Sequence, residues 1–321
     1  MIRKSAVARF GLCICCQLAP SLRANPPHPI HNMIHRPLLA SFLLSFALLT
    51  FAHAQKKSGP PLEVPEALKP LNATITDRPP AGITLTVESK TPLTPAQWDA
   101  IATLNARSFS FSGSALDDSG MERLVALNPE SVTVNGSLLT GNGAAKFGQM
   151  KSLRTLHTLH ITRPTPEAKA ALSVHPALEV FSSDGAFCIE AVTAPRLQRV
   201  DLKHGAASDA FVALLKNHPS LESVRLWAKG YAGLTDASIA SLVTIPKLNK
   251  LSLEFSVFTY DGGLKRLKEL PKLATLELKD VALSEEDLAK LKADLPKVQI
   301  TFTPMTPEYR VQWDAWAAKK K

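Results

Sequence analysis

Short runs that alternate apolar and polar residues recur along the chain. "RVDLK" (199–203), "KLSLE" (250–254) and "TLELK" (275–279) each place two apolar residues two apart. Side chains two apart on a strand share a face, so each run predicts a strand with one buried face. The spacing then changes. Ile239 and Leu242, like Leu288 and Leu291, stand three apart, which puts each pair on one face of a helix.

The alternation keeps a register. Pro195, Pro219, Pro246 and Pro271 each open the pattern Pro-x-Leu-x-x-Leu-x-Leu, with Val in two of the leucine positions, and Pro296 follows at the same spacing. The intervals are 24, 27, 25 and 25 residues. Weaker copies run upstream through Leu85/Val87, Phe109/Phe111, Val132/Val134 and Leu159/Ile161, then Val180 in a short, irregular unit, and Ile300/Phe302 closes the series. About ten units result. Residues 162–194 depart most from the pattern. Helix starts recur at one offset: Thr94-Pro95, Asp117, Thr140, Ser208, Thr235 and Ser284. Their side-chain oxygens can accept the free N–H groups of a first turn, and Thr94 with Gln97 matches a capping box. A unit of about 24 residues cannot bury its own apolar face, but stacked copies can. Strands recurring in one direction pair in parallel.

The stretches "LPKLATLELKDVALSEEDLAKL" (270–291) and "GLTDASIASLVTIPKLNKLSL" (233–253) resemble leucine-rich repeats. They are similar to the bacterial type with a Leu-Thr-Asp-x-x-Leu helix start, near the cysteine-containing and ribonuclease-inhibitor-like classes. The resemblance spans 81–303 and is strongest over 195–303. It implies an α/β solenoid with a parallel sheet on a concave face and helices on the convex face, acting as an interaction scaffold without catalysis. One departure stands out. Where the family places Asn, Cys or Thr after the strand, this chain has Ser114, Ser137, Gly205 and Val281.

Alternation then predicts the concave face. One outward row is expected to run Thr86, Ser110, Thr133, His160, Phe181, Asp201, Arg225, Ser252, Glu277, Thr301. A second includes Thr162, Ser183, Lys203, Trp227, Glu254 and Lys279. The N-terminal half is small and hydroxylic. Phe181, Asp201, Lys203, Arg225, Trp227, Glu254 and Glu277 therefore form the expected binding surface, because Trp and Arg dominate binding hot spots. The alternative for Trp227 is burial beneath the extended loop "AKGYAGL" (228–234).

The ends differ in texture. From Met33, one Arg, the apolar run Leu38–Phe51 and Ala52-His53-Ala54 match a secretory signal with cleavage near Ala54. The run has 14 residues, short of the roughly 20 that span a bilayer. Residues 1–32 place a second Met-led segment before it, so either Met33 is the start or the leader has two parts. Residues 55–80 hold six prolines and are expected to form a linker. At the other end, Thr306-Pro307 starts a helix with Tyr309, Trp313 and Trp316 on one side. This 304–321 segment is expected to cap the solenoid, with membrane contact as the alternative.

Removal of 1–54 changes the balance of charge and thiols. That segment holds five of the 37 Lys/Arg and none of the 28 Asp/Glu, leaving 32 against 28, or +4. No basic face is evident, which argues against nucleic acid as a partner. Cys13, Cys15 and Cys16 precede the cut, so Cys188 stands alone and no internal disulfide is expected.

Chemistry is sparse. No Gly-x-Ser-x-Gly, Walker or His-Glu-x-x-His motif occurs. His157 and His160 lie close but fall on opposite strand faces, with no third ligand for a metal. His175 and His218 precede repeat prolines and are expected in loops. The expectation is an exported periplasmic or extracellular binding protein without cofactor or metal. Its partner would be a protein or other cell-envelope macromolecule. The alternative is an envelope scaffold attached through its linker or terminal helix.

Overall fold

The computed structural model describes residues 62–78, 82–230 and 233–319. The signal-like segment, Cys13, Cys15, Cys16, Tyr231, Ala232 and the last two lysines lie outside the described residues. Eleven strands form one sheet, ordered in space as in sequence. They are β1 (Thr74–Arg78), β2 (Gly82–Ser89), β3 (Ser108–Gly113), β4 (Ser131–Asn135), β5 (Thr155–Leu159), β6 (Val180–Ser183), β7 (Arg199–Lys203), β8 (Ser223–Trp227), β9 (Lys250–Glu254), β10 (Thr275–Val281) and β11 (Gln299–Pro304). β1 pairs antiparallel with β2, and every later pair is parallel. The fold is mixed α/β with a long, open, mostly parallel sheet, and this arrangement fits a repeat solenoid.

One face of the sheet is apolar. Leu85/Val87, Phe109/Phe111, Val132/Val134, Val200/Leu202, Val224/Leu226, Leu251/Leu253 and Leu276/Leu278 are all buried there. They pack with the helix-side residues Trp98, Ile101, Met121, Leu124, Ile239, Leu242 and Leu291 in one continuous core. Fully burying each such side chain contributes about 1.5–3 kcal/mol, which is how a row of small units becomes one stable body.

The connections are α1 (Pro95–Ala102), α2 (Asp118–Leu127), α3 (Gly141–Ala145), α4 (Lys169–Leu172), α5 (Asp209–Val212), α6 (Asp236–Leu242) and α7 (Glu285–Asp294), with α8 (Pro307–Ala318) after the last strand. The expected caps form at Thr94, Asp117, Thr140, Thr235 and Ser284, and Thr94 with Gln97 closes a capping box. Ser208 makes no cap bond.

The acids that follow Asp117, Ser208 and Thr235 do more than begin a helix. Thr140 N–H donates to Asp118 Oδ1 (2.8 Å), Thr235 N–H to Asp209 Oδ1 (2.9 Å) and Thr259 N–H to Asp236 Oδ1 (3.1 Å). Each threonine hydroxyl donates to the other oxygen of the same aspartate. Successive units are thus clamped together on the helix side.

The prolines also have partners in structure. His175 and His218 lie in the loops between units, as expected, and are buried there. His218 Nδ1 accepts from Ser220 and Leu221 N–H, and its Nε2 reaches Ala194 O of the preceding unit at 3.0 Å. His175 repeats this with Ala177, Leu178 and Met150. The pattern needs a neutral ring protonated on Nε2. Burial, first of all, lowers both pKa values.

Two expectations are corrected. Residues 62–78 are not a linker. Glu66–Leu68 forms a 3-10 turn between Pro65 and Pro70, Leu68 is wholly buried, and Thr74–Arg78 closes the sheet edge as β1. The prolines bracket a turn there rather than keeping the chain extended. The second correction concerns register. Leu156 and Thr158 face the core in β5, and Phe181 and Ser183 in β6. The sequence alternation had assigned Leu159/Ile161 and Val180. A slip of one residue exchanges the faces.

Candidate functional site

The face opposite the helices is polar. Strand register places Thr86, Ser110, Thr133, His157, Ser182, Asp201, Arg225, Ser252, Glu277 and Thr301 in one row across it. His157 and Ser182 occupy the positions expected for His160 and Phe181. Phe181 is 0% exposed and belongs to the core, so it leaves the candidate surface. His160 sits in the turn after β5 with φ 55°, and its N–H donates to Asp184 Oδ2 at 2.6 Å. The signal was obscured because Thr158 and Ser183 are polar residues on the apolar face. They satisfy each other through a 2.9 Å hydrogen bond, so burial costs little there.

The other six expected residues lie on the polar face. Lys203, Trp227, Glu254 and Lys279 form its second row. Thr162 lies outside the strands and Ser183 faces the core, which removes both from that row.

Strands β7 to β10 carry a built ion-pair network. Arg225 Nε donates to Glu254 Oε1 at 2.6 Å and Arg225 Nη2 to Oε2 at 3.2 Å. Its Nη1 lies 3.5 Å from Asp201 Oδ2, and Lys203 Nζ lies 3.6 Å from the same oxygen. The Ser252 hydroxyl bridges, 3.2 Å from Glu254 and 3.0 Å from Glu277. Glu254 is 2% exposed, so its charge depends on these partners. The hydrogen bond that Arg225 donates to Glu254 is the main cause that raises the Arg225 pKa.

An aromatic cluster adjoins the network. Trp227 lies against His204 (4.8 Å) and Phe255 (6.2 Å), and Phe255 against Tyr309 of α8 (4.9 Å). Arg225 lies over the Trp227 ring at 5.8 Å, and Lys229 Nζ is 5.5 Å from both Phe255 and Tyr309. Lys229 belongs to the extended loop, but part of that loop lies outside the described residues. Helix α8 therefore meets the polar-face cluster through Tyr309, while none of its residues is fully buried.

Beside the network stands a set of polar atoms without partners. Ser182 Oγ, Asp184 Oδ1, Asp201 Oδ1 and Trp227 Nε1 are all buried and make no hydrogen bond. His157 adjoins them, its pKa lowered chiefly by burial and next by Lys203, against the opposing effect of Asp201.

Ser182 Oγ makes no hydrogen bond to the neighbouring His157. Cys188, the one cysteine among the described residues, is buried, and burial pushes its thiol pKa far up, away from reactivity. Among the described residues no three His, Cys, Asp or Glu side chains are placed to hold a metal ion. No described helix is long and apolar enough to cross a membrane. A depression of about 560 Å3 lies away from this network, between Pro70, Leu71, Glu88, Lys90 and Gly113.

No protein family matches the chain, and no curated protein does. Among solved structures, it is similar to a structural-genomics target from Bacteroides fragilis at 14% identity and a TM-score of 0.33. The alignment covers 62% of this chain and 66% of that protein, just under two thirds of its length. A likeness at this level identifies neither a family nor an activity.

Proposed function

We propose that the protein is a leucine-rich-repeat scaffold that binds another macromolecule, foremost a protein, through the polar face of its central and C-terminal strands. The observation that carries this reading is the uneven face. Strands β2 to β4 present mainly small hydroxylic residues in the first row, whereas β7 to β10 present Asp201, Lys203, Arg225, Trp227, Glu254 and Glu277 in a pre-assembled network. Charged groups held in fixed geometry give specificity and orientation to an interface. The apolar run Leu38–Phe51 supports export to the periplasm or the exterior.

A photo-crosslinking residue at Lys203 in the native cell tests the reading. The same partner should be captured there and not from Arg123 on the helix side. Capture should fall in the folded double variant Arg225→Met/Glu254→Gln. Identical partner sets from both positions would refute the proposal.

A second reading is an envelope scaffold attached through α8. It is favoured by the exposure of that helix, on which Val311 is 70% exposed. Attachment through residues 62–78 loses support, because that segment belongs to the folded body. Removal of 306–321 separates the two: a stable protein that no longer localises supports attachment.

A further inference from the structure

We infer that the polar face between β5 and β7 receives a cationic nitrogen group, the guanidinium or ammonium of a basic side chain on the bound partner. This rests on the proposed role of that face in binding and names the chemistry it would select. Ser182, Asp184 and Asp201 are 2%, 7% and 8% exposed, yet Ser182 Oγ, Asp184 Oδ1 and Asp201 Oδ1 have no hydrogen-bond partner. Ser182 and Asp201 stand opposite each other on β6 and β7, and His157 flanks Ser182 from β5.

Arg225, Lys203 and the His160 N–H are committed elsewhere, and the unpartnered Trp227 Nε1 lies farther out, on β8. Arg225 holds Glu254 by two bonds. Lys203 and Arg225 both address Asp201 through Oδ2, and His160 N–H takes Asp184 Oδ2. Each carboxylate thus has one oxygen engaged and one left over. Buried acceptors in that state call for a donor from outside the chain. Two free carboxylate oxygens and a hydroxyl suit a group with several N–H donors and a positive charge. A guanidinium carries five donors in a planar fork and pairs with carboxylates more strongly than a neutral donor does. An anion would meet unpaired carboxylate oxygens. A neutral polyol would bring donors but no compensating charge.

The probe is the peptide acetyl-Gly-Arg-Gly-Arg-Gly-amide, titrated into the full chain by calorimetry. Its Lys and Glu counterparts and a neutral oligosaccharide are titrated alongside. Asp184→Asn keeps an oxygen for the His160 N–H and puts an amide donor at the free position. The Arg peptide should bind the wild type, bind Asp184→Asn about tenfold or more weakly, and weaken with added salt. Glu285→Gln on exposed α7 should leave binding unchanged. The inference is overturned if the Arg peptide fails to bind folded wild type, if Asp184→Asn binds it equally, if Glu285→Gln weakens it as much, or if the oligosaccharide binds instead. A partner crosslinked at Lys203 that persists in Asp184→Asn sinks this inference while the binding role of the face stands.

Discussion

Arg225→Met tests how the polar face is held together. The methionine keeps much of the side-chain stem but removes both hydrogen bonds to Glu254, at 2.6 and 3.2 Å, and the 3.5 Å approach to Asp201. Glu254, with its side chain 3% exposed, would keep only the Ser252 hydroxyl. Stripping one member from a fully buried pair costs about 3–5 kcal/mol. The Arg225 side chain is 36% exposed, so water can enter the gap it leaves. The expected loss is therefore smaller, about 2–3 kcal/mol. Urea unfolding at pH 7, followed by circular dichroism with the slope checked against wild type, measures it. Arg225→Met/Glu254→Gln should recover about half of the loss or more, because the stranded charge is gone. A loss below about 0.5 kcal/mol, the level of an ordinary surface change, would refute the reasoning. So would a double variant no more stable than the single one. The single variant is also a poor probe of binding, since it disturbs Glu254 as well as any partner.

Phe181→Ala should cost about 3–5 kcal/mol as a core truncation, whereas removal of a surface contact would leave the urea midpoint unchanged. Gly185→Ala should also destabilise, because a Cβ there would stand 2.5 Å from Ile161 O; a variant of wild-type stability contradicts the close approach. Asp209→Ala removes the clamp on Thr235 and its bond to Ser238. It should cost about 1–3 kcal/mol, with hydrogen exchange rising first at Thr235 and Ser238. His175 and His218 have folded pKa values lowered by burial, so the unfolded chain takes up protons first. Their stability contribution is complete above about pH 6.5, the ordinary histidine value, and is lost as pH falls through the lowered folded values. The urea midpoint should drop between pH 7 and 5, and His218→Asn should flatten that drop. An unchanged slope would show that the ring does not depend on neutrality.

The architecture was legible because its signal repeats. The leucines of 195–303 specify strand, face and register together, and the observed pairing from β7 to β11 follows them. Register failed at β5 and β6, where Thr158 and Ser183 occupy core positions. Their mutual hydrogen bond makes that tolerable, but a partner 25 residues away is invisible to alternation. Asp201, Lys203, Arg225, Trp227, Glu254 and Glu277 lie on the polar face of the sheet, because they alternate with plain apolar neighbours. Asp184 was missed since it follows a short strand, and the unpartnered state of its Oδ1 is a property of three-dimensional packing. The clamp had a readable signal in Asp117-Asp118, Ser208-Asp209 and Thr235-Asp236. Each pairs a residue at a helix start with an acid that serves the next unit.

The sheet order also bears on how the chain is made. Each strand lies beside the one synthesised just before it, from β1 to β11. No strand has to wait for a distant partner, so contacts stay local and folding can proceed quickly. At about 5–20 residues per second, a unit of roughly 25 residues emerges every one to five seconds or so. Each newcomer then meets a finished template edge. The growing end is always a single exposed strand, and among the described residues β11 is the last to take that place.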